Sequence, residues 1–477
     1  MFHVKQTRIL GLLAAGVIGA AVLTGCISDE SRGWGAPVAT DDTQVVSPRK
    51  GKLDGVDPQA FDAPAWTGTL AVPLAQNETR VLSTALAPTE TPFQGDILQI
   101  ESELVRVRSL TVNGTEREMH LDRGFGGTTA SAHAAGIEIT AVRRPWRFPD
   151  DWHIRDGSRN LGGVYGTPLV DSDGVMYVGD YGGWLYAFVP EDVNLDAATE
   201  NDEPKVAVSD LGEPVIGGQV LDEESGLLYV TAGEELFAVD SERLKASLAA
   251  GGGEIEPEAG FRFKAGGELW GAPAVQDGIV YLSSLDGKLY ALDGATGAVN
   301  WSFDGGKGLT TTPVFAGGLI LVGGFDSRLF GVNAADGTLA WDLAVSNWIF
   351  ATPVVDGTTA YFGDFDGVIH AVNVETGAEE WALALDRGKI RGAAAVSGDY
   401  LVVGTDTGWL IGLDLTTQQR AWEVDVGSDI LADLVAAGDE VLMAPQGCVT
   451  LPGGEVSTYF RAVEAATGTL RRVEGLC

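Results

Sequence analysis

The stretch Trp270-Gly-Ala-Pro273-Ala-Val-Gln-Asp-Gly-Ile-Val-Tyr281-Leu-Ser-Ser-Leu-Asp-Gly287-Lys-Leu289-Tyr-Ala-Leu-Asp293-Gly-Ala-Thr296-Gly297-Ala-Val-Asn-Trp301 decides the fold, because variants of it recur eight times along the 477 residues. Its proline position returns at Pro313, Pro353, Ala394 and Leu434, in steps of 40, 40, 41 and 40. Upstream, Pro168 and Gln219 hold the same place, with longer steps of 51 and 54 that acidic loops are expected to absorb. The first copy lies near the start of the chain. There Trp34, Pro37, Asp41, Gly51, Lys52, Leu53 and Asp57 match Trp270, Pro273, Asp277, Gly287, Lys288, Leu289 and Asp293 without a gap. A fixed period of this size marks stacked units, none of which buries its apolar face alone.

Within each copy the pattern is that of β-strands. Short runs such as Ala360-Tyr361-Phe362 and Val368-Ile369-His370-Ala371-Val372 are rich in β-branched and aromatic residues. Between them stand Asp-Gly pairs, Asp286-Gly287 and Asp366-Gly367, which suit tight hairpin turns. No apolar stripe of helical period stands out after residue 25. Four short strands per repeat predict an all-β chain, an eight-bladed β-propeller of four-stranded blades.

The segment Ala291-Leu-Asp293-Gly-Ala-Thr296-Gly297-Ala-Val-Asn-Trp301 resembles the tryptophan-docking motif of propellers related to pyrroloquinoline-quinone (PQQ) dehydrogenases. Echoes end at Trp341, Trp381 and Trp422, and the last copy has Arg472 where the tryptophan is expected. The resemblance implies that each docking tryptophan packs between neighbouring blades. A large ring repeated once per unit suits that task.

The grammar breaks once, between Trp66 and about Val142. Val105 and Val107 alternate with Arg106 and Arg108, an Asn113-Gly114 turn follows, and Met119 and Leu121 alternate with His120 and Asp122. That is a hairpin with one buried face. The stretches Gly95–Glu103 and Leu121–His133 resemble a small β module of phage structural and bacterial surface proteins. The organisation expected is therefore a signal peptide at 1–25, the first repeat at 26–66, an inserted module at 67–142 and the remaining repeats at 143–477. The closing tryptophan of the first copy is assigned to Trp146, with Trp66 as the alternative.

At the N-terminus, Lys5 and Arg8 precede an apolar run from Ile9 to Leu23 that is too short to span a bilayer. It ends in Leu23-Thr24-Gly25-Cys26, which resembles the bacterial lipobox, and implies lipid on Cys26 and an extracytoplasmic address at the outer membrane or cell surface. Of the other cysteines, Cys448 lies in a Gly/Pro-containing insertion and Cys477 ends the chain. In an oxidising compartment they are expected to form a disulfide that staples the tail, two free thiols being the alternative. The formal charge of −36, from 67 acidic against 31 basic residues, repels nucleic acid, so no nucleic-acid partner is expected.

No catalytic grammar accompanies the fold. The PQQ dehydrogenases it resembles use an adjacent cysteine pair, a calcium site and an aspartate base, and no segment here matches them. His3, His120, His133, His153 and His370 lack metal-ligand spacing, and Asp171-Ser-Asp173-Gly and Asp364-Phe-Asp366-Gly read as turns rather than calcium loops. No metal, no cofactor (PQQ included) and no catalytic residue is expected.

One position does stand apart. Three residues before each repeat proline come Trp34, Tyr165, Ile216, Trp270, Thr310, Phe350, Arg391 and Leu431, bulky throughout but varied in polarity. Equivalent positions of a rotational repeat form a ring. The aromatic members with Arg391 make a candidate binding ring, inner-strand packing being the other reading. Arg387, Lys389 and Arg391 form a basic patch that shares Arg391 with it. The function expected is a non-catalytic, membrane-anchored scaffold for other envelope or surface proteins, similar to the propeller lipoprotein of the outer-membrane β-barrel assembly machinery. The alternative is a quinoprotein-type dehydrogenase or small-ligand sensor using the propeller mouth.

Overall fold

In the computed structural model, residues 162–189, 205–444 and 461–472 are described continuously, with strands and short segments between 38 and 148 and between 449 and 457. Eight sheets of four or five strands follow one another along the chain, numbered here as blades 1 to 8. Blade 4 is representative. Its strands Ala274–Gln276, Ile279–Ser283, Lys288–Asp293 and Val299–Asp304 form an antiparallel meander. The two middle strands are buried along nearly their whole length, because adjacent blades cover both of their faces. The outermost strand alternates exposed and half-buried residues, as a strand with one covered face must.

The outermost strand carries the docking tryptophan, and a bulge aims it. Blades 4 to 7 share a one-residue register shift, after Ala291, Gly331, Ala371 and Gly412, which face Trp301, Trp341, Trp381 and Trp422. Trp301 donates its indole N–H to the Ala334 carbonyl of the next blade at 3.1 Å, Trp341 to Val374 at 2.8 Å and Trp422 to Ala465 at 2.8 Å. Each ring lies on a glycine of that blade: a Cβ on Gly337 would come within 2.5 Å of Trp301. Gly337 also has φ +73°, so the turn needs glycine twice over. Gln418 holds the corresponding place in blade 7, with φ +59°.

The last blade lacks the bulge. Ala462 therefore faces Arg471 rather than Arg472, which corrects the residue expected in the tryptophan position. In blade 1 the strand Lys52–Val56 pairs with Trp146–Phe148, and Trp146 faces Gly55. Trp66 instead pairs with Ala141 inside a separate closed barrel, whose strands run from Trp66–Leu70 to Glu138–Val142. Val105, Val107, Met119 and Leu121 fill the core of that barrel, together with Leu70, Leu74 and Ile100.

The long step before blade 4 is not only loop. Residues Ser241–Ala249 form a helix, which the sequence reading did not anticipate. Asp240 caps it by accepting the Arg243 N–H, and Leu244 and Leu248, one turn apart, bury against blades 2 and 3. Downstream, Gly253–Glu254 adds a fifth, parallel strand to blade 2. Asp171 and Asp364 cap turns: each accepts two backbone N–H groups, from Asp173 and Val175 and from Asp366 and Val368.

Candidate functional site

The ring positions precede the innermost strands, and a repeated device fixes their direction. Immediately before each described member stands a buried aliphatic residue: Val164, Val215, Leu269, Leu309, Ile349, Ile390 and Ile430. The plugs of blades 6 to 8 fit against glycines of the preceding blade; a Cβ on Gly323, Gly363 or Gly404 would meet Ile349, Ile390 or Ile430 at 2.7, 2.3 or 2.6 Å. In an extended segment successive side chains point oppositely, so a plug held in the sheet turns the next residue toward the axis.

Tyr165, Ile216, Trp270, Thr310, Phe350, Arg391 and Leu431 accordingly line one cavity of about 370 Å³. Trp34 lies outside the described residues, as do the signal segment, Cys26, Cys448 and Cys477. Beneath the ring a second set of contacts ties neighbouring blades. The Ala272 N–H donates to Thr312 Oγ1 at 3.1 Å, Thr312 N–H to Thr352 Oγ1 at 3.3 Å, and Ala393 N–H to Asp433 Oδ1 at 2.6 Å.

One wall of the cavity is aromatic. Trp270 meets Phe325 and Phe350, each at 6.2 Å between centroids, and Trp348 bridges Phe325 at 5.0 Å and Phe365 at 5.9 Å. Glu268 fixes the Trp270 indole through a 2.9 Å hydrogen bond. Across the mouth Tyr165 packs on Tyr181 at 5.4 Å. The sequence reading missed Phe325, Phe365 and Trp348. The first two were findable, since they stand twelve residues after Pro313 and Pro353, in the turn between the two middle strands. Trp348 has Gly308 and Lys389 at the equivalent places, so no repeat signal marks it.

The basic patch divides on this surface. Arg387 pairs with Glu423 at 2.7 Å and covers the Trp409 ring at 4.6 Å, outside the cavity lining. Lys389 and Arg391 lie over Phe365, at 5.6 and 5.3 Å, and Arg391 is 3.8 Å from Asp406. Lys307 sits on the rim, 3.5 Å from Asp326. Burial, aided by Asp406, pushes the Asp429 carboxyl up, and Arg391 draws it back. Asp433 is also pushed up by dehydration, against the Ala393 N–H that favours its anion. Among the described residues, no group of three or more His, Cys, Asp or Glu is placed to hold a metal ion.

The sequence model of the family described as outer membrane protein assembly factor BamB matches residues 233–393 and 365–471, which together cover half of the chain. The chain belongs to this family. No curated protein matches it. Among solved structures, the computationally designed Ika8 protein is 14% identical with a TM-score of 0.50, over 82% of this chain and 97% of that one. BamB from Moraxella catarrhalis is 14% identical with a TM-score of 0.48, over 65% of this chain and 88% of its own. The likeness to the designed protein speaks for the fold alone.

Proposed function

We propose that this propeller is a non-catalytic scaffold that binds other proteins of the cell envelope during their assembly, held at an extracytoplasmic membrane surface by lipid on Cys26. The observation that carries the reading is the convergence of Trp270, Phe350 and Arg391 on one cavity at the mouth. Aromatic and arginine anchors around a concave, partly apolar centre are the features that concentrate binding energy in protein interfaces. Membership of a family described as an outer membrane protein assembly factor supports the same reading.

The test is capture of envelope proteins from solubilised membranes by wild-type chain and by Trp270→Ala with Arg391→Ala. Loss of capture with an intact melting curve is expected; unchanged capture overturns the reading. For the anchor, Cys26→Ser is expected to move the chain out of the detergent phase, and unchanged partitioning excludes the lipid.

A further inference from the structure

The contacts beneath the ring contain one substitution that packing leaves unexplained. In blades 5 and 6 the acceptor for the neighbour's N–H is a neutral hydroxyl, on Thr312 and Thr352. In blade 8 the same task falls to Asp433, reached by the Ala393 N–H at 2.6 Å. Threonine would take that hydrogen bond without dehydrating a charge, so the carboxylate adds a cost that the fold does not require. Among the described residues Asp433 forms no ion pair, and it is the one carboxylate in the cavity lining.

The opposite wall supplies what a cation on an apolar stem needs. Trp270, Phe325, Trp348 and Phe350 present aromatic rings to the same space. Ring faces attract ammonium and guanidinium groups, and the apolar surface accommodates the methylenes behind them. The cations already present belong to other carboxylates: Arg391 lies by Asp406 at 3.8 Å and Lys307 by Asp326 at 3.5 Å. A chain of charge −36 also draws cationic partners toward it from a distance.

We infer that the cavity receives the lysine or arginine side chain of a partner protein, its stem along the aromatic wall and its charged head on Asp433. The inference rests on the scaffold reading of the same site and names the chemistry that the site selects.

The test uses calorimetric titration of the full chain with three probes: a blocked Lys-Lys-Leu-Lys tetrapeptide, its glutamate counterpart, and n-butylamine. The lysine peptide is expected to bind saturably, about tenfold more weakly to Asp433→Asn, and the glutamate peptide not at all. Asp433→Asn keeps the acceptor for the Ala393 N–H and removes one of 67 acidic groups, so bulk attraction cannot account for that loss. Asp433→Thr, which copies blades 5 and 6, is expected to behave alike and guards against a folding defect. Wild-type affinity for the lysine peptide in both variants, binding of the glutamate peptide, or butylamine binding as tightly as the lysine peptide each overturns the inference. Envelope-protein capture lost in Trp270→Ala with Arg391→Ala but kept in Asp433→Asn defeats this inference and leaves the scaffold. Capture kept in all variants removes both.

Discussion

The propeller places one bulky residue per repeat at two radii, and the two sets obey different rules. At the outer radius stand Trp301, Trp341, Trp381 and Trp422, the same side chain set by the same bulge. At the inner radius stand Tyr165, Ile216, Trp270, Thr310, Phe350, Arg391 and Leu431, in one backbone position but with seven different side chains. An outer tryptophan meets the same turn of the next blade each time, so one shape satisfies every copy. An inner residue meets the axis, where nothing requires neighbours to agree. The direction of each inner side chain is instead secured by the buried aliphatic residue before it, which leaves its own chemistry free.

The largest effect expected from this contrast is on stability. Trp341 is 9% exposed and its indole N–H reaches Val374. Replacing it with alanine is expected to lower unfolding free energy by about 3–5 kcal/mol, through the cavity left between blades. Partner capture below the new melting point should persist. A loss under about 1 kcal/mol would erase the distinction between the two radii.

Trp270→Ala with Arg391→Ala is expected to show the reverse pattern. Each truncation should cost about 2 kcal/mol or more of partner binding, while the melting temperature stays nearly unchanged. Unfolding as severe as that of Trp341→Ala would make the inner set packing as well.

This contrast also explains what the sequence could and could not disclose. The outer set and the ring were legible because identical backbone surroundings return every 40 residues, so period alone aligns Trp301 with Trp341 and Trp270 with Phe350. The helix Ser241–Ala249 was not, since it occurs once and its apolar contribution is essentially Leu244 and Leu248. The shift from Arg472 to Arg471 was hidden because a missing bulge changes pairing without changing the count of residues. Within the cavity, Trp348 is a departure from the repeat, and reading by period passes over such departures.

A third variant joins the two radii. A Cβ on Gly363 would lie 2.3 Å from Ile390, the plug beneath Arg391. Gly363→Ala is expected to cost about 1–3 kcal/mol by overpacking and to weaken capture by moving Arg391. Normal capture in the destabilised variant would show that the plug does not set the ring. A smaller change should be favourable. Gln418 adopts φ +59° where the neighbouring blades use glycine, so Gln418→Gly is expected to add about 1 kcal/mol, read as a higher urea midpoint. No gain would mean that relief of the strained turn is offset by lost side-chain contacts.

The smallest effect expected is a pH dependence confined to blade 6, where His370 departs from the pattern of both radii. It stacks on Phe362 at 4.9 Å and lies 2.7 Å from Glu379 and 3.5 Å from Asp364, which also accepts the Ser346 hydroxyl. Burial pulls the imidazole down, but its hydrogen bonds to Asp364 and Glu379 outweigh that and hold it above its ordinary value of 6.5. Burial raises Asp364, yet the bonds from His370, the Val368 N–H and Ser346 carry it below its ordinary 3.8. A raised histidine contributes stability that is complete below 6.5 and lost as pH rises through the folded value; a lowered aspartate contributes above 3.8 and loses it in acid. The pair therefore contributes most between those two values. Urea midpoints measured from pH 5 to pH 8 are expected to fall as His370 deprotonates, and His370→Gln should flatten that decline. An unchanged slope in the variant would assign the decline to other groups and leave the His370 cluster as packing alone.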